Sequence, residues 1–434
     1  MSGKKILIIA HFYDPCNVIA SHRPKSWALA LKAAGYEPVV LTRHWKGTEN
    51  NWSEFLGENT APVNEQIRDG IRVISVPNKS TFLYKLTQWR VFAKSRIVRV
   101  LAEWMGSVFG QIEIDRDVVS NYYNTANELL KKEAFSLILV TCNPNNGVKL
   151  AAKLSKHNNV PWVADFRDLW DIHAQLKDQS QVSIITKIRF SFVHKFMVKW
   201  LKSAKQVIVC NETYIPYLKG LLPQLPVTLV KNGFEKDLFN AFQVTPSSKE
   251  NLTILCLGTL HLQQDLQTFA SGFQLFLKEY PNASIQLKFL GAKVNPLVGA
   301  EIERLFPKEH LIVTEFVGRK DAILELQQAH VVYYPVWPAY WGIYPGKIFE
   351  YLGAKKNILM APNDHGILEK TLRETNAGII KDTPQDCADQ LAVWYNEWEQ
   401  TGTLTYQGND AEIATYTREY QATVFVELIT QLTN

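Results

Sequence analysis

Cysteine is sparse and unpatterned in this chain. Its five cysteines, Cys16, Cys142, Cys210, Cys256 and Cys387, form no Cys-x-x-Cys and no Cys/His ligand spacing. That argues against a structural zinc site and for a reducing compartment. A Gly-x-Gly-x-x-Gly fingerprint is missing from the first βα loop, so a dehydrogenase is disfavoured. No run approaches the ~18 apolar residues of a membrane span. Met-Ser-Gly-Lys-Lys leads straight into the apolar run Ile6–Ala10, which is too short and wrongly flanked for a signal peptide. No His/Asp cluster has ligand spacing, so no metal is expected. The expected location is cytoplasmic.

What is present is a long alternation of short Val/Ile/Leu-rich runs with helical stretches. At 434 residues the chain is too long for one hydrophobic core, and two domains are expected. Strands are expected at Ile6–Ala10, Glu37–Thr42, Ile71–Val76, Leu137–Thr141, Trp162–Asp165, Gln206–Cys210 and Val227–Lys231. A second set is expected at Leu252–Leu257, Ile285–Leu290, Ile312–Phe316, Val331–Pro335, Asn357–Ala361 and Gly378–Ile380. These runs do not alternate apolar with polar, as suits strands buried on both faces. The fold class is therefore α/β, with two Rossmann-like doubly wound parallel-sheet domains and an interdomain cleft. The boundary falls in the polar stretch Asn232–Ser248, and the last helical run, Ile413–Leu432, has no strand after it.

The net charge of +5 is unevenly spread. Phe82–Phe109 contributes +4 and Ser183–Lys205 contributes +6 with no acid at all. In the first, Leu86, Trp89, Ala93, Ile97, Val100 and Trp104 recur at helical spacing; in the second, Val193, Met197, Trp200 and Ala204 do so beside Lys195, Lys199 and Lys202. Basic amphipathic helices with tryptophan suit an anionic membrane surface, which keeps open a peripheral position at the inner face of a membrane. The plain alternative is two packed helices with solvated lysines. Nucleic acid is not an expected partner, because no recognised binding motif accompanies the charge.

The most informative stretch is Tyr344-Pro-Gly-Lys-Ile-Phe-Glu-Tyr-Leu-Gly-Ala354, a Pro-Gly turn entering a short apolar helix. A strand ends upstream at Pro335 and another begins at Asn357, so Lys347 sits at the carboxyl end of a strand, where open α/β sheets bind ligands. A helix N-terminus and a lysine together suit a phosphate, and Glu350 could accept from sugar hydroxyls. The alternative is an ordinary helix with Phe349 and Leu352 in the core. The first βα loop, His11 to Arg23, brings His11, Asp14, His22 and Arg23 to the end of the first strand, or is a surface loop whose Asp14-Pro15 begins a turn. Asp165-Phe-Arg-Asp168 follows another strand; Asp165 could orient Arg167 and leave Asp168 facing a sugar hydroxyl, or the Asp–Arg pair could simply lock the turn. Lys231-Asn-Gly-Phe234 and Gly258-Thr-Leu260 place glycines after strands, where backbone can approach a ligand closely.

Taken in order, these pieces resemble a retaining GT-B glycosyltransferase of the family 4 type. The resemblance rests on Gly35-Tyr36 before the second strand, Trp162-Val-Ala-Asp-Phe-Arg-Asp-Leu-Trp170, Val230-Lys-Asn-Gly-Phe234, Cys256-Leu-Gly-Thr-Leu260 and Tyr344–Ala354. It implies an acceptor-binding domain over residues 1–235, a nucleotide-sugar-binding domain over 236–412, and a final helix over 413–434 that returns to the first domain. It implies transfer of a sugar from a nucleotide-diphosphate donor to a saccharide or lipid-linked acceptor in surface polysaccharide or glycoconjugate synthesis. The nucleotide sugar is a co-substrate, and no cofactor or metal is required. Implied donor-binding residues are Gly258, Thr259, Lys347, Gly346, Ile348, Glu350 and Asn232; catalytic ones are Asp165, Arg167, Asp168 and His11; acceptor-binding ones are Asp14 and Arg23. Glu350 matches the second of two family glutamates, whereas the first falls on Gly342, and the basic pair after Gly258 is replaced by Thr259-Leu-His-Leu-Gln-Gln-Asp265. Glycines common in the first loop are replaced by Asn17–Ser21. Because fold does not fix chemistry, a nucleotide-sugar epimerase on the same fold stays in view, and the departures keep in view a degenerate, non-catalytic binding protein.

Overall fold

A computed structural model of the chain describes residues 3–16, 18–47, 58–78, 116–142, 145–170, 184–240, 250–315, 317–340 and 342–434. The chain divides into two compact units, one built from the described residues up to Lys231 together with Ala422–Asn434, the other from Asn232–Gln421.

In the first unit the strands are β1 (Lys5–Ile9), β2 (Glu37–Arg43), β3 (Asn64–Arg68), β4 (Ile71–Val76), β5 (Leu137–Cys142), β6 (Trp162–Phe166), β7 (Gln206–Val209) and β8 (Val227–Leu229). Its helices are α1 (His22–Ala33), α2 (Arg116–Lys132), α3 (Asn146–Asn158), α4 (Ile184–Leu201) and α5 (Tyr214–Leu221). The sheet runs β3-β4-β2-β1-β5-β6-β7-β8. Ile6 lies beside Leu137 and Val140 beside Ala164 in parallel register. Successive residues of β1 enter different cores. Leu7 and Ile9 join Ile138, Val140 and Met197, while Ile6 and Ile8 join Leu137, Trp27 and Phe425. That is the two-residue period of a strand covered on both faces.

The second unit holds α6 (Lys236–Asn240), β9 (Leu252–Leu257), α7 (Gln267–Glu279), β10 (Ile285–Leu290), α8 (Pro296–Leu305), β11 (Leu311–Val313), α9 (Arg319–Gln328), β12 (Val331–Pro335), α10 (Gly346–Ala354), β13 (Asn357–Ala361), α11 (Ile367–Thr375), β14 (Gly378–Ile380), α12 (Pro384–Thr401) and α13 (Asp410–Ala414). Its sheet runs β11-β10-β9-β12-β13-β14, all parallel. This is the 3-2-1-4-5-6 order, and it reverses between β9 and β12.

Expected strands lie within two residues of their expected ends, except Ile312–Phe316. That one is observed as Leu311–Val313, and Phe316 lies outside the described residues. One strand was not expected. Asn64–Arg68 is polar, pairs antiparallel with β4 and forms the sheet edge, so it lacks the apolar run used to find the others. Its signal is Asp69-Gly70, both at positive φ (49° and 69°), the turn chemistry of a two-residue hairpin.

The expected single run Ile413–Leu432 is broken at Thr415–Thr417, where Thr417 makes an isolated parallel bridge with Phe234. The last helix, α14 (Arg418–Thr433), contributes Phe425 and Ile429, both fully buried, to the core of the first unit. Phe425 stacks on Trp27 with centroids 4.4 Å apart and planes 16° from parallel. At its far end Lys4 Nζ donates to Thr433 O (2.8 Å) and Lys205 Nζ donates to Leu432 O (2.6 Å), cations suited to a helix C-terminus. Phe425→Ala should therefore lower stability by about 3–5 kcal/mol, read as a shift of the urea midpoint. A loss under about 1 kcal/mol would show that the terminal helix contributes little to this core.

Candidate functional site

In the second unit the switch point between β9 and β12 is closed by the start of α10. Pro345 holds an extended conformation and releases the chain into the helix at Gly346. Lys347 is half-buried, and its Nζ donates to Thr259 O at 3.4 Å. Burial pushes the ammonium below its ordinary range, with Cys256 and Glu350 opposing. Gly258 has φ +90°, and a Cβ there would stand 3.8 Å from Lys347 Cε and Nζ. The helix is tied to β9 by Tyr351, whose hydroxyl accepts from Leu257 N at 2.9 Å. Gly346 and Thr259 are exposed beside Lys347.

Ile348 does not belong with them. Its side chain is fully buried in the core and its N–H donates to Pro345 O at 3.1 Å, so neither part is presented to a ligand. Glu350 is half-buried and acts electrostatically on both Lys347 and Arg418. Arg418 Nε donates to Gly233 O at 3.0 Å and its Nη1 pairs with Glu235. Asn232 is half-buried beside Gly233. A Cβ on Gly233 would meet Tyr416 O at 2.7 Å, so what this glycine admits is the chain's own 416–418 backbone and not a ligand. Gly342 is buried at φ +72°, a left-handed conformation that favours glycine over a glutamate.

In the first unit the carboxyl ends of β1, β5 and β6 surround a small pocket lined by Phe12, Ala20, Arg23, Pro24, Thr141, Cys142, Asp165 and Arg167. Asp165 is 1% exposed and lies within β6. Its carboxylate accepts from Arg23 Nε (3.0 Å to each oxygen), Arg23 Nη2 (2.7 Å) and Trp27 Nε1 (2.9 Å). The partner of Asp165 is thus Arg23 and not Arg167. Arg167 instead pairs with its neighbour Asp168, Nε at 2.9 Å and Nη2 at 2.7 Å from Oδ2. With three N–H donors around it, Asp165 positions Arg23 and is poorly placed to take a proton from a substrate. Arg23 in turn is 7% exposed, which limits it to the pocket floor.

Asp14 is drawn away from the pocket. It pairs with Lys25 at 3.1 Å and with Arg68 of β3 at 3.8 Å. His11 lies edge-on to Phe12 (4.9 Å), Trp45 (5.8 Å) and Tyr122 (6.3 Å). Its carbonyl accepts from Trp45 Nε1 at 2.8 Å. Burial and the nearby Arg43 push its pKa down to about 3. Arg43 itself lies over the Trp45 ring at 4.0 Å. This aromatic and cationic cluster escaped the sequence because Trp45 and Tyr122 lie far from the motifs that carry charge.

Sequence reasoning also missed the second unit's aromatic group. His261 stacks on Trp337 (5.0 Å, 20°) and Tyr340 stands across Trp337 at 4.7 Å. The available signal was the run Pro335-Val-Trp-Pro-Ala-Tyr340, aromatic-rich at a strand's carboxyl end. Among the described residues no group of three or more His, Cys, Asp or Glu could hold a metal ion.

No family model matches the chain and no curated protein matches it in sequence. Solved structures do match it in fold. Sucrose-phosphate synthase (tll1590) from Thermosynechococcus elongatus aligns with a TM-score of 0.61 at 15% identity, covering 99% of this chain and 99% of that chain. Anabaena Alr3699/HepE in complex with UDP aligns with a TM-score of 0.60 at 12% identity, covering 98% and 100%. The E. coli trehalose-6-phosphate structure bound with UDP-2-fluoro glucose aligns with a TM-score of 0.59 at 12% identity, covering 99% and 99%. These likenesses define the fold as GT-B, two Rossmann-like domains in one chain.

The His11 environment generates a stability test. Native His11 stays neutral down to about pH 3, whereas an unfolded imidazole takes up a proton near pH 6.5. Stability is then lost as pH falls from 6.5 towards 3, at up to about 1.4 kcal/mol per pH unit. His11→Asn should flatten that part of the profile in denaturant titrations between pH 6.5 and 4. An unchanged slope would show that His11 titrates normally.

Proposed function

We propose that the chain is a glycosyltransferase that moves a sugar from a UDP-sugar to a saccharide or lipid-linked acceptor, with retention and without metal. The observation that carries this is Lys347. It stands at the N-terminus of α10 and at the switch point of the second sheet, beside Gly258 at φ +90°. Burial disfavours its charge, and an arriving diphosphate would restore it. Solved structures of the same fold hold UDP, UDP-glucose and UDP-2-fluoro glucose.

In this reading Lys347 and the helix end stabilise the departing UDP, where most of the rate gain lies. Glu350 meets the ribose. The pocket of the first unit takes the acceptor, with Arg167 and Asp168 at its polar rim and Asp165 holding Arg23 in the floor. Retention, and a role in surface polysaccharide or glycoconjugate synthesis, rest on the family 4 resemblance.

A thermal-shift screen against UDP, GDP, ADP and dTDP and their sugars tests the reading. The best ligand, at ~100 times its Kd, should add ~2.7 kcal/mol of stability. Lys347→Ala should weaken that ligand at least tenfold, and transfer should proceed in EDTA. No stabilisation by any nucleotide would favour a degenerate binding protein. Donor turnover without acceptor would favour an epimerase, and activity restored only by magnesium or manganese would remove the metal-free step.

A lipid-linked acceptor implies a membrane-facing surface, and the exposed face of α4 supports that reading. The stripe expected to face lipid is core instead, with Val193, Met197 and Ala204 buried. A different row, Ile184, Ile188 and Phe192, is 76%, 48% and 42% exposed at four-residue spacing, next to exposed Lys187, Lys195 and Lys199. The other expected segment, Phe82–Phe109, lies outside the described residues. No helix among the described residues is long and apolar enough to cross a membrane, so the attachment proposed is peripheral. Each basic residue near an anionic leaflet contributes about 1 kcal/mol, screened by salt. Liposome flotation with anionic lipid should show binding at low salt that falls at high salt and in Phe192→Asp. No binding at low salt would make a soluble acceptor the better reading.

A further inference from the structure

The second unit carries a constructed aromatic surface that the reading above leaves unused. Two loops at the carboxyl ends of β9 and β12 are joined by side-chain and backbone bonds. Buried Gln264 donates through Nε2 to Pro335 O at 2.8 Å and accepts at Oε1 from His261 N at 3.0 Å. Asp265 N donates to Val336 O at 2.8 Å, and the Tyr333 hydroxyl donates to Asp265 O at 3.2 Å. These bonds fix both strand ends, and the result is a flat His261–Trp337 stack with Tyr340 across its edge. His261 is exposed and Trp337 and Tyr340 are half-buried, so the group is a surface and not core. The indole Nε1 has no hydrogen-bond partner among the described residues; ring packing orients the indole, while the Trp337 carbonyl accepts from Tyr340 N at 3.0 Å.

Its position is informative. Thr259, whose carbonyl receives Lys347, lies two residues before His261. If Lys347 meets the diphosphate and Glu350 on the helix meets the ribose, the group beyond the other phosphate falls to the Thr259–His261 side. That group is a pyranose, which offers a face of C–H groups to an aromatic ring.

We propose that the His261–Trp337–Tyr340 wall is the subsite for the sugar ring of the donor, and that it reads the sugar separately from the nucleotide. The inference rests on the assignment of Lys347 to the diphosphate. The wall presents aromatic ring faces, so it selects for a ring with an unobstructed C–H face. It contributes nothing to free UDP.

The test measures two dissociation constants for the full chain by calorimetry, one for UDP and one for UDP-glucose or whichever UDP-sugar stabilises the chain most in the screen. Trp337→Ala should weaken the UDP-sugar by roughly threefold to tenfold and UDP by less than twofold. Trp337→Phe, which keeps a ring, should restore most of the difference. His261→Ala, at an exposed position that leaves the core intact, should show the same split at smaller size. Equal weakening of UDP and UDP-sugar would overturn the inference, because the wall would then hold the nucleotide or only support the loop. Unchanged binding of both in Trp337→Ala and His261→Ala would overturn it too. A wild-type chain that binds neither UDP nor any UDP-sugar would instead overturn the glycosyltransferase reading, and this inference with it.

Discussion

The first unit is organised around one buried carboxylate. Asp165 has almost no access to water, so its charge is tolerable only because three N–H groups surround it. Arg23 meets it with Nε shared between the two carboxylate oxygens and Nη2 on Oδ1, charge-assisted bonds that are stronger than neutral ones. Trp27 supplies the third donor and lays its ring on Phe425, so the same constraint reaches the last helix. Arg23 Nη1 also donates to Lys231 O at 3.3 Å, at the end of the unit's last strand segment. One ion pair therefore fixes α1 against β6, the seat of α14 and the floor of the pocket. Breaking such a pair by removing one partner typically costs about 3–5 kcal/mol, because the charge left behind stays buried.

The two units handle charge in opposite ways. Around the first pocket the charges are already matched, Arg23 with Asp165 and Arg167 with Asp168. Such a surface recognises shape and hydroxyl groups better than it recognises a net charge. At the second switch point Lys347 Nζ donates to a carbonyl at 3.4 Å, and burial disfavours its charge against the opposing pull of Cys256 and Glu350. A site in that condition gains most from an incoming anion. This division is the one the proposed transfer from a diphosphate donor to a hydroxyl calls for.

Much of the fold was legible because parallel strands buried on both faces leave short Val/Ile/Leu runs that cannot be disguised. Ile6–Ala10, Leu252–Leu257 and Val331–Pro335 are of this kind, and all sit where the pattern placed them to within a residue. β3 was not legible by that criterion because an exposed antiparallel edge needs no apolar run, although Asp69-Gly70 carried its turn. The site was legible as a set of strand ends, since a strand's carboxyl end in such a sheet is known once the strand is. Which side chains face one another there was not. Ile348 sits one residue from Lys347, yet helical geometry turns it into the core.

The sequence by itself determined the α/β alternation, the number of parallel strands in the second sheet, the Pro345-Gly346 entry into α10 and the uneven distribution of positive charge, because each is set by local pattern and composition. Tertiary structure alone decided that Asp165 answers to Arg23, 142 positions away, and not to Arg167, two positions away. It also decided that the Val193–Met197 stripe of α4 is core while Ile184, Ile188 and Phe192 are exposed, and that His261 lies flat on Trp337. The reason is the same in each case. Partner choice and burial depend on which surfaces the sheet order brings together, and a linear pattern records the faces of an element without recording what covers them.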